Sequence, residues 1–207
     1  MDDSLGATAV LQIADASRPP RWKRGLDLLL TCAFLFFSLP LWIICFVLLR
    51  LTSPGPALHW SKRVGQNNVP FLMPKFRTMQ MNTPQVATHL LSDPSECITP
   101  MGRFLRKSSL DELPQLWSVL KGDLTLVGPR PALYNQDDLI ALRTEAGVHR
   151  LTPGLTGWAQ VNGRDELEIP VKVAYDCEYM RAMSLMLDLK IICLTVVKVF
   201  RADGVRH

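Results

Sequence analysis

The longest apolar segment of the chain lies near its N-terminus. Residues 28–49 carry no charged side chain, and Arg50 follows directly. A run of about 22 residues can span a bilayer. Pro40, near its middle, removes a backbone donor and therefore predicts a break or a strong kink. The two arms would measure about 18 Å and 14 Å, each roughly half of the hydrocarbon core.

These arm lengths suit a re-entrant helix that turns at Pro40 and leaves the membrane on the face by which it entered. The residues around the run are basic on both sides, which places both ends in the cytoplasm: Arg18, Arg21, Lys23 and Arg24 precede it, and Arg50, Lys62 and Arg63 follow. Ser38 could satisfy a carbonyl freed at the break. A kinked helix that crosses the bilayer is the alternative, and the residues alone leave both open.

Shorter patterns follow the apolar run. Residues 57–60, 62–65 and 69–76 read as short strands, and residues 66–68 form a turn between them, so a hairpin is predicted. Residues 80–100 lack a period and predict an irregular surface loop. The mixed segment 1–20 predicts a flexible lead-in rather than a cleavable signal.

A short helix with an acidic start is predicted after residue 109. Ser109 and Glu112 have the spacing of a capping box, and the apolar positions then recur at helical spacing, at Leu113, Leu116, Trp117 and Leu120, until Lys121 and Gly122 end the helix. Asp111 and Glu112 thus lie at a helix N-terminus, which favours ionised carboxylates. They either cap the helix or offer oxygen ligands to a divalent metal.

Basic residues accompany this acidic pair: Arg103, Arg106 and Lys107 just upstream, and Lys75, Arg77 and Arg130 in other turns. Two carboxylates among several cations, without a His or Cys cluster, are what Mg²⁺ and phosphate chemistry require. Pro129 and Pro131 bracket Arg130 and fix its backbone, which suits bidentate recognition of a phosphate. A rigid turn with a solvated arginine is the alternative.

Residues 184–200 are mostly apolar, but their longest uncharged stretch, 191–197, is too short to span a membrane. A core helix or an interfacial helix is expected there. Of the 207 residues 48% are hydrophobic, which suits one domain with a membrane segment. The net charge of +4 does not argue for nucleic acid. Five cysteines without a CxxC pair argue against a disulfide framework or a zinc site.

Three motifs in a fixed order identify a family. They are KFRTM from Lys75, FLRKSSLDELPQLWSVLKGDLTLVGPRP over residues 104–131, and PGLTGWAQVNGR over residues 153–164. From about Arg24 to the C-terminus the chain closely resembles the monotopic phosphoglycosyl transferases, which are bacterial sugar transferases. The resemblance implies transfer of a phosphosugar from a UDP-sugar to polyprenol (undecaprenyl) phosphate, with release of UMP. It also implies Mg²⁺, a covalent phosphosugar on an aspartate, and the cytoplasmic face of the bacterial inner membrane.

The resemblance assigns roles by position. Asp111 would be the nucleophile, and Glu112 would bind Mg²⁺ together with it. The expected substrate-binding residues are Lys75, Arg77, Arg106, Pro129, Arg130 and Asp176, the last in a stretch similar to the family's Asp-x-Tyr-Tyr segment. The resemblance favours the re-entrant helix, with Ser38 and Pro40 at its break, and Arg24 and Asp27 match the Lys-Arg-x-x-Asp start of that helix.

The chain departs from the family pattern at three places. Leu39 lies between Ser38 and Pro40, Ser61 stands where Gln is usual, and Glu178 stands where the first Tyr of the Tyr-Tyr pair is usual. These residues either tune the membrane break and the choice of substrate or have no effect.

The sequence therefore predicts an α+β monotopic membrane protein. It consists of a lead-in (1–20), a proline-broken re-entrant helix (21–51) and a small cytosolic catalytic domain (52–207) of helices, short strands and ordered loops, with interfacial helices. Two rival classes are a non-catalytic polyprenol-binding adaptor and a membrane-bound, metal-dependent phosphodiesterase or pyrophosphatase. The intact motifs weigh against both. The donor sugar, the pathway and the oligomeric state are left open.

Overall fold

The computed structural model describes residues 20–81, 83, 97–163 and 167–201. The lead-in 1–19 and most of the predicted loop 80–100 lie outside these residues. The described elements, in chain order, are α1 (Arg21–Thr52), β1 (Leu58–Val64), β2 (Pro70–Phe76), α2 (Pro100–Lys107), α3 (Gln115–Lys121), β3 (Thr125–Val127), α4 (Asp137–Glu145), β4 (Gly154–Thr156), α5 (Trp158–Asn162), α6 (Ile169–Ala182) and α7 (Leu185–Arg201). This mixture of helices and short strands agrees with the predicted α+β class.

Helix α1 is continuous over 32 residues and contains Pro40 in its interior. The helix is therefore not interrupted at Pro40, and a strong kink there stays a prediction. A single proline removes one donor, and the helical bonds on both sides of it persist. Much of the helix surface is apolar and exposed, with Leu29, Phe36 and Phe37 each at least 69% exposed. By length and composition this is the one helix of the described residues that could cross a membrane.

One face of α1 is buried. Its residues recur at about one or two turns along the helix: Lys23, Asp27, Thr31, Ser38, Cys45 and Leu49. Near its C-terminal end, Cys45 and Leu49 share a core cluster with Phe76 and Leu105. The Ser38 hydroxyl has no hydrogen-bond partner among the described residues, so the expectation that it satisfies a freed carbonyl is wrong.

The predicted hairpin is present. Strands β1 and β2 pair antiparallel from Leu58 opposite Phe76 to Val64 opposite Pro70. Asn67 and Asn68 in the turn adopt positive φ angles, a conformation that asparagine tolerates better than most residues. The register places His59 directly opposite Lys75, so both side chains emerge on the same face of the hairpin.

The glycines of the second and third motifs pack against each other. Strands β3 and β4 are parallel, and the Gly128 amide donates to the Thr156 carbonyl at 2.8 Å. A Cβ atom at Gly154 would lie 2.1 Å from the Gly128 nitrogen, and one at Gly157 would lie 2.1 Å from the Gly128 oxygen. Only glycine permits this approach, which fixes the loop that carries Pro129.

Helix α7 has two different faces. Asp188 and Ile191 are buried, and Ile191 packs in a core cluster with Val127 and Tyr179. The opposite side exposes large apolar side chains: Met186, Leu189, Val196 and Val197. The helix thus closes the core with one face and leaves an apolar surface on the other.

Candidate active site

Asp111 and Glu112 lie on a single 3₁₀ turn, Leu110–Glu112, between α2 and α3. The predicted capping box is wrong, because Ser109 has a left-handed backbone (φ 56°) and its side chain makes no capping bond. An N-cap residue needs an extended backbone, whereas Ser109 has the left-handed backbone common in the residue that follows a helix C-cap, here Ser108 of α2. The predicted end of the following helix is confirmed, with Gly122 at φ 98°.

Basic side chains from three separate segments surround the two carboxylates. Glu112 pairs with the guanidinium of Arg130, and its Oε1 lies 3.6 Å from the Lys75 ammonium nitrogen. Arg106, on α2, donates from Nε to the Thr78 hydroxyl at 2.9 Å. The fold therefore brings together five of the predicted residues: Lys75, Arg106, Asp111, Glu112 and Arg130.

The Asp111 carboxyl is 9% exposed, and its pKa is raised to about 6. Burial is the main cause and the neighbouring Glu112 adds to it, whereas Lys75, Arg106 and Arg130 act in the opposite direction. Burial likewise lowers the pKa of Lys75 and of Arg106. These charges lie close enough to influence one another, yet the cations do not fully compensate the buried carboxylate.

The loop that carries Arg130 is hydrogen-bonded to Arg143 of α4. Arg143 donates from Nη1 to the Arg130 carbonyl at 2.7 Å and from Nε and Nη2 to one Asp176 oxygen at 2.9 Å and 2.7 Å. Asp176 is 1% exposed, and burial raises its pKa while Arg143 opposes that rise. Asp176 is thus linked to the Arg130 loop through Arg143. Sequence reasoning missed Arg143, because no motif or spacing marks it.

Two further predicted residues have structural contacts. Arg77 is buried and donates to the Ser53 carbonyl at 3.2 Å, next to the end of α1. The Pro129 carbonyl accepts the Gly154 amide at 2.8 Å. Arg77 thus anchors the segment after α1, and Pro129 ties the Arg130 loop to β4.

His59 is a neighbour of the site that the sequence reading also missed. Its pKa is lowered by burial and by the positive charges of Lys75 and Arg63. The one feature that could have placed His59 beside the site is the hairpin register, which pairs His59 with Lys75.

Asp111 and Glu112 fit a divalent metal only in part. Among the described residues no group of three or more His, Cys, Asp or Glu side chains could hold a metal ion. Mg²⁺, however, is commonly held by one or two carboxylates together with substrate phosphates and water. Two crowded carboxylates, one with a raised pKa, are groups that a divalent cation stabilises, so the donor set suits Mg²⁺ shared with a phosphate ligand.

Comparison with known proteins agrees with the motifs. The chain is 41% identical over 187 residues to the uncharacterized sugar transferase EpsL of Bacillus subtilis, covering 89% of this chain and 90% of that protein. It is 35% identical to the UDP-N-acetylgalactosamine-undecaprenyl-phosphate N-acetylgalactosaminephosphotransferase of Aeromonas hydrophila, over 89% of this chain and 45% of that one. It is 38% identical to the UDP-glucose:undecaprenyl-phosphate glucose-1-phosphate transferase of Escherichia coli, over 86% and 40%.

The chain thus spans less than half the length of the latter two relatives. A model of the bacterial sugar transferase family matches residues 19–202, which is most of the sequence and includes every site residue described above. The chain belongs to the bacterial sugar transferase family.

Proposed function

We propose that this protein transfers a phosphosugar from a UDP-sugar to undecaprenyl phosphate and releases UMP. The observation that carries the proposal is the buried Asp111 carboxylate, with its pKa raised to about 6, among Lys75, Arg106 and Arg130. Such a group is ionised at neutral pH but poorly neutralised, as suits a nucleophile. The named activities of the relatives, which act on undecaprenyl phosphate, support the same assignment.

The first step forms a covalent intermediate. Lys75, Arg106 and Arg130 hold the diphosphate and compensate its charge, which lets a carboxylate approach. An Asp111 oxygen attacks the phosphorus bonded to the sugar, the bond from that phosphorus to the bridging oxygen breaks, and its electron pair leaves with UMP. The product is an acyl phosphate on Asp111 that carries the sugar.

The second step transfers the group to the lipid. A phosphate oxygen of undecaprenyl phosphate attacks the same phosphorus, the bond from Asp111 to phosphorus breaks, and the carboxylate is regenerated. Mg²⁺ bound by Asp111 and Glu112 would supply charge neutralisation at the diphosphate. Glu112 also holds Arg130 in place through their ion pair.

The membrane arrangement is proposed as re-entrant, with both ends of α1 at the cytoplasmic face. Arg24, near one end, bonds to carbonyls of Val119 and Leu120, and Leu49, near the other, shares a cluster with Leu113. A straight helix between residues 24 and 49 would measure roughly 37 Å, whereas the six steps from residue 113 to residue 119 span at most roughly 20 Å. Attachment of both ends to one short segment supports a helix that bends back.

The exposed apolar face of α7 is proposed as an interfacial surface. Met186 and Val196 on this helix are exposed beside a domain that α1 ties to the membrane. An apolar helix face in the plane of the interface would hold the site at the depth of the lipid phosphate. A soluble sugar nucleotide and a membrane lipid could then meet at Asp111.

The test of the activity is UMP release by the detergent-purified chain with Mg²⁺ and a panel of UDP-sugars, with and without undecaprenyl phosphate. We expect sustained UMP with one donor only when the lipid is present, and none from Asp111→Asn. Asp123→Asn is the matched control, because Asp123 pairs with the exposed Lys121. Activity retained by Asp111→Asn would overturn the nucleophile.

The same assay separates the rival classes. An adaptor would release no UMP from any donor. A phosphodiesterase or pyrophosphatase would work without lipid and produce free sugar phosphate. Sugar-linked undecaprenyl diphosphate, by contrast, is formed only by the proposed transferase.

The topology has its own test. Trp22→Cys and Leu51→Cys, each in a background with the five native cysteines replaced by alanine, are labelled in intact spheroplasts with a membrane-impermeant maleimide. A re-entrant helix leaves both cysteines unlabelled until the cells are permeabilised. Labelling of one of the two from outside would establish a spanning helix instead.

A further inference from the structure

The first turn of α1 is hydrogen-bonded to α3, one of the two segments next to the active-site residues. Arg24 donates from Nη1 to the Val119 carbonyl at 2.6 Å and from Nη2 to the Leu120 carbonyl at 2.7 Å. Both carbonyls lie in the last turn of α3, where the Val119 carbonyl also accepts the Gly122 amide at 3.2 Å, and a cation is favourable at a helix C-terminus. Helix α3 directly follows the Asp111–Glu112 turn, so Arg24 fixes the element on which both carboxylates depend.

The same turn of α1 is also hydrogen-bonded to the second segment, β3. Asp27 accepts from the Thr125 hydroxyl at 2.7 Å and from the Leu126 amide at 2.9 Å, so each carboxylate oxygen binds β3. Strand β3 runs directly into Gly128 and the loop that carries Arg130. Asp27 is 4% exposed, and water therefore competes little for these bonds.

A buried network anchors this turn to the rest of the domain. Lys23 forms an ion pair with Asp188 of α7 and lies 3.0 Å from the Tyr179 hydroxyl of α6. That hydroxyl lies 2.7 Å from the second Asp188 oxygen and 3.1 Å from the Val127 carbonyl. The network thus contacts β3 a second time, at its last residue before Gly128.

We propose that Arg24 and Asp27 are positioning residues, which set the Asp111–Glu112 turn against the Arg130 loop and so make catalysis depend on the seated membrane helix. The inference rests on the proposed function. Each residue makes two bonds to its target, which fixes direction as well as distance. A displacement of about 1 Å at a reacting centre costs roughly hundredfold in rate. Loss of the hydrogen bonds of either residue should therefore lower the rate, although neither residue contacts the substrate.

The experiment compares Arg24→Lys, Asp27→Asn and Thr125→Val with the wild type, using UMP release by the full chain in lipid nanodiscs. Arg24→Lys keeps the charge but loses the bidentate contact, and Thr125→Val removes one bond to Asp27. We expect kcat to fall about tenfold to hundredfold for the first two, with the donor KM within about threefold. Lys121→Gln, at the exposed end of the same helix, is the matched control and should keep the wild-type kcat.

A double-mutant cycle identifies the route of the effect. If Asp27 acts through the Arg130 loop, Asp27→Asn should cost less than about twofold in an Arg130→Ala background, because coupled residues are not additive. Independent, multiplying effects would overturn the proposal, as would an unchanged kcat in folded Arg24→Lys and Asp27→Asn proteins. A wild type that releases no UMP would instead refute the proposed function itself, so the two failures are distinguishable.

Folding of each variant is checked by its unfolding midpoint before kinetics. If Asp27→Asn does not fold, the kcat values of Arg24→Lys and Thr125→Val test the proposal instead, because both variants retain a partner for every buried charge. A fall in kcat without a fall in the midpoint supports positioning. A midpoint loss with normal kcat in the folded fraction would establish a purely structural role.

Discussion

Two clusters of acidic and basic side chains lie at opposite ends of the same short segments, and they differ in how their charges are matched. At the first turn of α1, Lys23, Asp27 and Asp188 are each less than 5% exposed, and each has a bonded partner. At the active site, Asp111 is similarly buried, and burial together with the adjacent Glu112 carboxylate raises its pKa to about 6. One cluster satisfies its charges internally, and the other keeps an unfavourable charge for a ligand.

The difference shows what each cluster can do. A buried ion pair whose bonds are complete specifies an arrangement of helices, and removal of one partner leaves an uncompensated charge. A carboxylate that the fold does not neutralise fully favours binding of cations or phosphate-bearing ligands with their counterions. The following changes test this contrast, beginning with the largest expected effect.

Lys23→Met should destabilise the protein by about 3–5 kcal/mol, because the buried Asp188 then lacks its cation. The denaturant midpoint of the detergent-solubilised protein measures the loss. The double variant Lys23→Met with Asp188→Leu removes both charges and should recover most of it. A loss below about 1 kcal/mol for the single variant would show that this pair does not organise the helices.

Arg130→Ala should lower kcat about 10²–10³-fold, since one preorganised donor to developing charge is worth that much at other sites. The unfolding midpoint should change little, because Lys75 also faces Glu112. Arg103→Ala, an exposed arginine of α2, is the control and should retain the wild-type rate. Equal kcat values for the two variants would show that Arg130 does not take part in catalysis.

Asp111→Asn should stabilise the metal-free protein by up to about 3 kcal/mol at pH 7–8. The folded pKa of about 6 lies above the ordinary value of 3.8, so ionisation of Asp111 opposes folding. The gain is therefore nearly absent below pH 4, grows between about pH 4 and pH 6, and levels off above pH 6. Unfolding in EDTA at pH 4, 6 and 8 measures it, and a gain independent of pH would contradict the assignment to this carboxyl.

Lys121→Gln should change stability by less than about 0.5 kcal/mol, because its ion pair with Asp123 is exposed. The 62% exposure of the Lys121 side chain leaves its charge screened by water and salt. Thermal unfolding in detergent provides the measurement. A loss as large as that of Lys23→Met would mean that burial does not distinguish the two clusters.

The hairpin, the end of α3 and the membrane-length helix could be predicted because each depends on local pattern. The turn at residues 66–68, Gly122 and the uncharged run 28–49 each carry their own signal. The predicted capping box at Ser109 is wrong, because the left-handed end of α2 at this residue overrides its local preference for an N-cap. At Pro40 the helix is not interrupted, because the loss of one donor leaves the adjoining helical bonds in place.

The sequence by itself determined the family, the apolar N-terminal helix, the hairpin and the motif residues that form the site, since motifs and periodicity are properties of neighbouring positions. Only the tertiary structure decided which charges meet. Arg143 and Asp176 are 33 positions apart, and Lys23 and Asp188 are 165 apart. Nothing in the local pattern ranks such partners, because ion pairs form between whichever side chains the packed helices and loops bring within a few ångströms.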